Sequence, residues 1–345
     1  MFLFFAFLSF LDLIKINRYI KKVLLFAEGI LMFLILAFKD NVPDFYSYQR
    51  IYENSEFHMF SFNLMNDPFF SLYINLFKSL NLNYREFLII NSFIFSFFSI
   101  LLLSKMTKYK FTLLNLFFSY LFLLKGLSQI RNGMALLIFF YSIKYIKNKN
   151  FYKYLFFIFI SSLFHLSAIL FLLLYFLYDL NIKRIYYYLF YISMIIIFLL
   201  KIDIVKFIFN LINIQRIQRY ADRDVLSGEK KLIVTFVVIF IFLILDKFVK
   251  SEEMEYNKTF LINGSLLLLF FRTIFIPYGE IGTRIGDNFE LLMLLLIVST
   301  LSISKEFFEK FIITCFINVY SFVNIYYLVI RNNATYHNYI NILFN

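Results

Sequence analysis

FYKYLFFIFISSLFHLSAILFLLLYFLY, residues 151–178, is an apolar run with one histidine, His165, at its centre. Basic residues flank both ends: Lys144, Lys147, Lys149 and Lys153 before or at its start, Lys183 and Arg184 after it. Basic loops mark the cytoplasmic side of a membrane protein. A run with both ends cytoplasmic must enter the bilayer and come back. Each arm is then about 14 residues, or roughly 21 Å at the helical rise. The hydrocarbon core is about 30 Å thick. The pair of arms therefore reads as a short broken hairpin whose tip, near His165, lies inside the membrane towards the outer face. Irregular backbone at that depth is tolerated where it lines a cavity or is buried in protein. The other reading is one helix over 154–177, with Lys183 and Arg184 outside.

The rest of the chain supports the bilayer as solvent. It is 61% hydrophobic and 23% aromatic, with a mean hydropathy of +0.76. Soluble domains are nearer half apolar. Apolar cores recur at 23–38, 87–104, 111–124, 132–146, 186–200, 232–248, 259–277, 285–303 and 311–330. Residues 1–14 lack the basic start and small-residue cleavage site of a signal peptide and read as a short first helix. The expected fold is all-α: a polytopic helical membrane bundle of about 10–12 membrane helices, forming a single domain over 1–345. Extracytoplasmic segments are expected at 39–86, 201–231 and 278–284. The segment 69–82 should lie at the interface without crossing.

The net charge of +12 is explained by loops anchored to anionic lipid, so nucleic acid is not expected as a partner. The lone cysteine, Cys315, rules out a disulfide framework or a cysteine metal site. Phosphate-loop, Gly-x-Ser-x-Gly, His-Glu-x-x-His and zinc patterns are all missing, so hydrolase and ATPase readings have no support. No cofactor and no metal are expected.

The basic residues are sorted by type. The cytoplasmic clusters hold 16 Lys and 2 Arg, whereas the opposite segments hold 7 Lys and 8 Arg. Lysine anchors loops as a point charge, while the planar fork of arginine matches phosphate oxygens. An arginine-rich outer face points to a phosphate-bearing ligand there; loop salt bridges are the alternative.

Five stretches carry candidate chemistry. In DFYSYQRIY (44–52), Asp44, Tyr48 and Tyr52 recur every four residues and share one helix face. An acid beside two phenols can hold sugar hydroxyls, and Asp44 can take a proton; an interfacial aromatic belt is the plainer reading. In KGLSQIRNGMALL (125–137), Arg131 sits at the outer end of a membrane helix beside Gly126 and Gly133, where glycine admits a close ligand or helix. Snorkelling of Arg131 to headgroups is the competing account. In the opening stretch, His165 can serve as general base, with Ser167 fixing its tautomer or binding substrate; a helix–helix hydrogen bond is the other possibility. In IQRIQRYADRDVLSGEKK (214–231), Arg216, Arg219 and Arg223 fall on one helix face as a polyanion cradle, or pair with Asp222 and Asp224 as a solvated face. In FIPYGEIGTRIGDNFELL (275–292), Pro277, Gly279, Gly282 and Gly286 break the backbone beside Arg284, Asp287 and Glu290.

Taken together, these residues resemble the EpsG-like branch of Wzy-type polysaccharide polymerases. The resemblance rests on Asp44/Tyr48/Tyr52 after an early helix, Arg131 with Ala135, Phe164–His165 with Ser167–Ala168, and the late Arg284, across about residues 40–300. It implies a multi-pass protein of the bacterial inner membrane acting at the outer leaflet. The substrates would be polyprenyl-pyrophosphate-linked oligosaccharides: a growing glycan and a single repeat unit. An acceptor hydroxyl would attack the donor's anomeric carbon and lipid pyrophosphate would leave. Arg131 and Arg284 would hold pyrophosphate, Arg216, Arg219 and Arg223 a second phosphate or glycan, His165 or Asp44 the proton, and Tyr48, Tyr52 and Ser167 the sugar. Membrane lipid, a flippase and a chain-length regulator of the same pathway are the expected partners. A lipid-linked glycan transporter and an acyltransferase modifying the polymer are the alternative functions.

Overall fold

A computed structural model describes residues 2–55, 67–206, 227–245, 256–278, 280–303, 305–331 and 340–341. The expected all-α class holds: the described residues are helical apart from one antiparallel two-residue pairing, β1 (Lys39–Asp40) with β2 (Ile340–Asn341). The helices cluster into two compact units, residues 1–172 with 304–345, and residues 173–303.

The first unit holds α1 (Phe2–Leu11), α2 (Arg18–Ala37), α3 (Phe45–Asn54), α4 (Pro68–Ser79), α5 (Tyr84–Leu103), α6 (Lys110–Phe117), α7 (Ile130–Lys147) and α8 (Phe151–Phe164), and the helix Phe307–Ile325. Helix starts follow local chemistry. Asn83 and Glu86 form a reciprocal capping box at α5, satisfying two amide donors with two side chains. At α6 the cap comes from a distant loop. Asp12 Oδ2 accepts the Thr112 amide at 2.9 Å, and Lys21 Nζ approaches Asp12 at 3.3 Å. Burial raises the Asp12 carboxyl to about 6, against the pull of the Thr112 amide and Lys21.

Helix α6 widens into a π-helix over Phe118–Ser128. Wide turns loosen the carbonyl ladder, and such segments recur at functional sites. Here the buried Lys39 donates to the carbonyls of Gly126 and Leu127 at 2.6 and 2.8 Å. Gly126 and Gly133 admit close packing. A Cβ on Gly126 would press on Leu36 at 2.7 Å, and one on Gly133 would meet the Lys125 carbonyl and Phe95 at 3.1 Å. The close approach that glycine permits is therefore made by protein.

The hairpin read from residues 151–178 is present. Helix α8 stops at His165, whose extended backbone (φ −158°, ψ 117°) breaks the helical ladder. A 3₁₀ segment, Leu166–Phe171, then folds back, so that the hydroxyl of Tyr154 donates to the Phe171 carbonyl at 2.6 Å. A single helix over 154–177 would hold those groups many turns apart. The segment expected to lie at the interface forms α4, whose 12 residues extend about 18 Å, less than the thickness of a hydrocarbon core.

In the second unit, α9 (Leu172–Leu177) leads to α10 (Arg184–Leu199), α11 (Ser227–Leu245), α12 (Lys258–Ile274), α13 (Glu280–Asp287) and α14 (Glu290–Ser299). Helix α12 is central and almost wholly buried. Gly264 lets it meet Leu292 of α14, and Tyr187 of α10 donates to Asn263 at 2.9 Å.

Three helical stretches among the described residues, Tyr84–Leu103, Lys110–Ser128 and Phe307–Leu328, are long and apolar enough to cross a membrane. Phe2–Leu11, Phe151–Phe164, Leu166–Leu177, Arg184–Leu199 and Glu290–Ser302 are apolar but shorter. Large apolar side chains such as Phe7, Phe156, Phe176 and Phe316 stand exposed, which suits hydrocarbon rather than water. The molecule is an all-α membrane bundle.

Candidate active site

Four side chains of the first unit converge at the tip of the hairpin. Asp67 precedes Pro68, whose fixed φ suits the first helical position of α4. Asp67 itself is left-handed (φ 52°, ψ 69°), a conformation that aspartate tolerates better than most residues. Its carbonyl accepts the amides of Phe70 and Ser71, but its carboxylate does not cap its own helix. The carboxylate instead receives Arg131 Nη1 at 2.6 Å and lies 3.8 Å from His165 Nδ1.

Packing brings these groups together. Phe164, next to His165, meets Phe69 and Tyr73 of α4 edge to face, which seats α4 against the end of α8. Ser161 donates to the Ala135 carbonyl at 2.7 Å and fixes α8 to α7, the helix whose first turn holds Arg131. The Arg131 guanidinium lies 5.7 Å from the Tyr48 ring centre and 6.0 Å from that of Phe70, within cation–π range. Burial raises the Tyr48 phenol above its usual value, while the charge and a hydrogen bond of Arg131 pull it back.

The acid is deepest. The Asp67 side chain is 8% exposed, against 35% for Arg131 and 27% for His165. A fixed carboxylate thus holds a cation by a short hydrogen bond and stands near, without hydrogen-bonding, an imidazole; both partners remain reachable. Such a set can do two things: hold negative charge at the guanidinium and accept a proton at the imidazole or the carboxylate.

A family model described as the EpsG family matches residues 22–341. The chain belongs to the EpsG family. No curated protein and no solved structure matches it. This EpsG-family protein is a multi-pass membrane protein of polysaccharide biosynthesis, and its family is associated with glycosyltransferase-like polysaccharide polymerases.

Of the residues singled out in the sequence, the structure of this EpsG-family chain brings Arg131, His165 and Tyr48 to one place. Asp44 stands near Tyr48: it ends the loop before α3, left-handed at φ 63°, close enough for its charge to act on the Tyr48 phenol. Ser167 is half-buried two residues beyond His165. Tyr52 shares the buried face of α3 with Tyr48 as its spacing requires, but its environment differs. Its hydroxyl donates to the Leu82 carbonyl at 2.6 Å and its ring packs on Phe87 and Tyr84, which ties α3 to the start of α5. Arg216, Arg219 and Arg223 lie outside the described residues. Arg284 is half-buried on α13, in the second unit.

Asp67 is absent from the sequence-based set. The signal for it was the Asp–Pro step at a helix start, in a segment read only as extracytoplasmic, just before the stretch expected at the interface. The second unit holds another unforeseen group. Arg272 is buried in α12 and contacts Asp287 at 2.6 Å, Glu290, and the Thr235 hydroxyl at 2.6 Å. Lys231 joins at 3.2 Å from Asp287. The two acids expected to neighbour Arg284 make contacts with Arg272 and Lys231. A Cβ on Gly286 would sit 2.5 Å from Arg272 Cγ, so glycine there is what allows the arginine stem past α13.

Proposed function

We propose that this EpsG-family protein polymerises polyprenyl-pyrophosphate-linked oligosaccharide repeat units at the outer leaflet of the bacterial inner membrane, as a Wzy-type glycosyltransferase. The observation that supports this reading best is the Asp67 carboxylate bonded to Arg131 and 3.8 Å from His165 at the tip of the hairpin. Phosphoryl leaving groups need fixed positive charge, and an incoming hydroxyl needs a base; one cluster offers both.

In this mechanism the acceptor hydroxyl forms a bond to the donor's anomeric carbon as the bond from that carbon to the phosphate oxygen breaks. The leaving lipid pyrophosphate takes the electron pair and is held by Arg131. The hydroxyl proton passes to His165, which Asp67 orients and whose positive charge Asp67 then offsets. Arg284 is a second candidate for pyrophosphate, and Arg216, Arg219 and Arg223 for further phosphate or glycan. Tyr48, its phenol kept neutral by burial, offers a hydroxyl and a ring face to sugar. Tyr52 and Ser167 extend the sugar site in the same proposal, and Asp44 is the alternative base. No nucleotide is required, because the phosphoester already carries the energy.

The test is glycan length in a deletion strain complemented with Arg131→Ala. The expected result is loss of long polymer with single repeat units retained on the outer leaflet. Units trapped inside the cell would favour a transporter. Unchanged chain length with altered acylation would favour an acyltransferase. Full restoration of long polymer would remove Arg131 from the reaction.

A further inference from the structure

Helix α2 crosses the first unit with one carboxyl group in its middle. Glu28 is 0% exposed, and neither of its carboxylate oxygens has a hydrogen-bond partner. Ionisable groups at such depth are costly and are kept for a purpose. Among the described residues, the charge that acts on Glu28 is that of Asp12, another acid, itself paired with Lys21. Among the described residues, no cation therefore neutralises Glu28.

The helix packed against it supplies more oxygen. Phe26 meets Phe97, a Cβ on Gly29 would touch Phe97 and Ile100 at 2.8 and 3.2 Å, and Phe33 meets Phe93. These contacts set the antiparallel register of α2 and α5, and they place residue 28 level with residues 96–100. At that level the inward face of α5 carries Ser96 and Ser99, both 0% exposed. Helical serines ordinarily return the hydroxyl to a carbonyl of the preceding turn. Ser119 and Ser142 do so, at 2.8 and 2.7 Å. The Ser96 and Ser99 hydroxyls make no hydrogen bond, either to their own helix or to Glu28.

From this arrangement we infer that Glu28, Ser96 and Ser99 form a binding site for a monovalent metal cation of the sodium class, between α2 and α5. A buried carboxylate and two unpartnered hydroxyls at one depth offer oxygen ligands to a hard cation. Oxygens of different side chains at about 2.4 Å from a common hard cation stand roughly 3.4 Å apart, too far for a good hydrogen bond. One carboxylate balances one positive charge, whereas a divalent ion would leave an excess buried charge. The bound ion would also fix α2 against α5 across the bundle.

The experiment uses the full chain purified in detergent, at constant chloride and ionic strength, with sodium exchanged for choline. Sodium should produce a saturable rise in the unfolding temperature, and radioactive sodium should bind at one ion per chain. Glu28→Gln should abolish both, and Ser99→Ala should weaken binding while leaving a folded protein. If the wild type responds to neither sodium, lithium nor potassium beyond choline, Glu28 is simply a protonated acid and the inference fails. It fails equally if Glu28→Gln keeps the sodium response. Should Glu28→Gln not fold, the wild-type titration and the Ser96→Ala and Ser99→Ala variants decide the matter alone.

Discussion

Arg131 Nη1 lies 2.6 Å from Asp67 Oδ2, although 64 residues separate the two in the chain. This pair, with His165 beside it, sets the terms of the proposed chemistry. Replacing Arg131 with Ala should reduce polymerisation by about 10²–10³-fold, the usual cost of removing a fixed charge from a developing anion. Arg131→Lys should not rescue it, because a point charge cannot replace a fork held by Asp67 and Tyr48 together. Asp67→Asn keeps the shape but removes the charge that holds Arg131 and faces His165. It should lower the rate of chain growth while leaving protein abundance in the membrane unchanged. Glycan ladders and immunoblots read the two quantities separately.

The hairpin that carries His165 is fastened by Tyr154. Its hydroxyl donates to the Phe171 carbonyl at 2.6 Å in a buried setting. Tyr154→Phe leaves that carbonyl without its partner and should cost about 1–3 kcal/mol. The expected result is a lower unfolding temperature, with polymer length reduced less than in His165→Ala. Thermal unfolding of the purified variants, compared with glycan length in cells, checks both halves.

Gly264 of α12 stands against Leu292 of α14 so closely that a Cβ would overlap the leucine side chain. Gly264→Ala should therefore destabilise the second unit by about 1–3 kcal/mol, the range for overpacking a tight core. Pairing it with Leu292→Ala should recover part of the loss. A double-mutant cycle on unfolding temperature gives the answer; strict additivity would mean that the two residues do not share the strain.

Lys39 makes stability depend on pH. Burial, with help from nearby Arg85, lowers its ammonium from 10.5 to about 7. Between these values the unfolded chain holds more protons than the folded one, so stability should rise as pH rises from 7 towards 10.5. The neutral amine still offers two N–H groups to the Gly126 and Leu127 carbonyls. Lys39→Met should flatten the rise and lower stability at the alkaline end, as followed by unfolding temperature from pH 7 to 10.

The sequence made the hairpin legible because arm length and basic flanks are local quantities: 14 residues cannot cross about 30 Å, whatever surrounds them. It also marked Arg131 and His165, since charge or polarity in an apolar run is conspicuous, and Tyr48 through its spacing from Asp44. Partnership was not legible. The i, i+4 spacing put Tyr48 and Tyr52 on one face but could not say that one would meet Arg131 and the other the Leu82 carbonyl. Asp287 and Glu290 were visible beside Arg284, but their contacts with Arg272 and Lys231, made across the helix packing, were not. Asp67 was overlooked because its role depends on a left-handed backbone and on a cation far along the chain.

The β1–β2 pairing joins Lys39 to Asn341 and Asp40 to Ile340. The same Lys39 accepts Arg85 through its carbonyl and braces the turn leading to Arg131 through its amine. Reporter enzymes or fluorescent proteins attached downstream of Asn341 would thus tug on a strand whose partner residue steadies that turn. Topology mapping with carboxyl-terminal fusions risks disabling the very molecule it reports on, and an amino-terminal handle on α1 is the gentler choice.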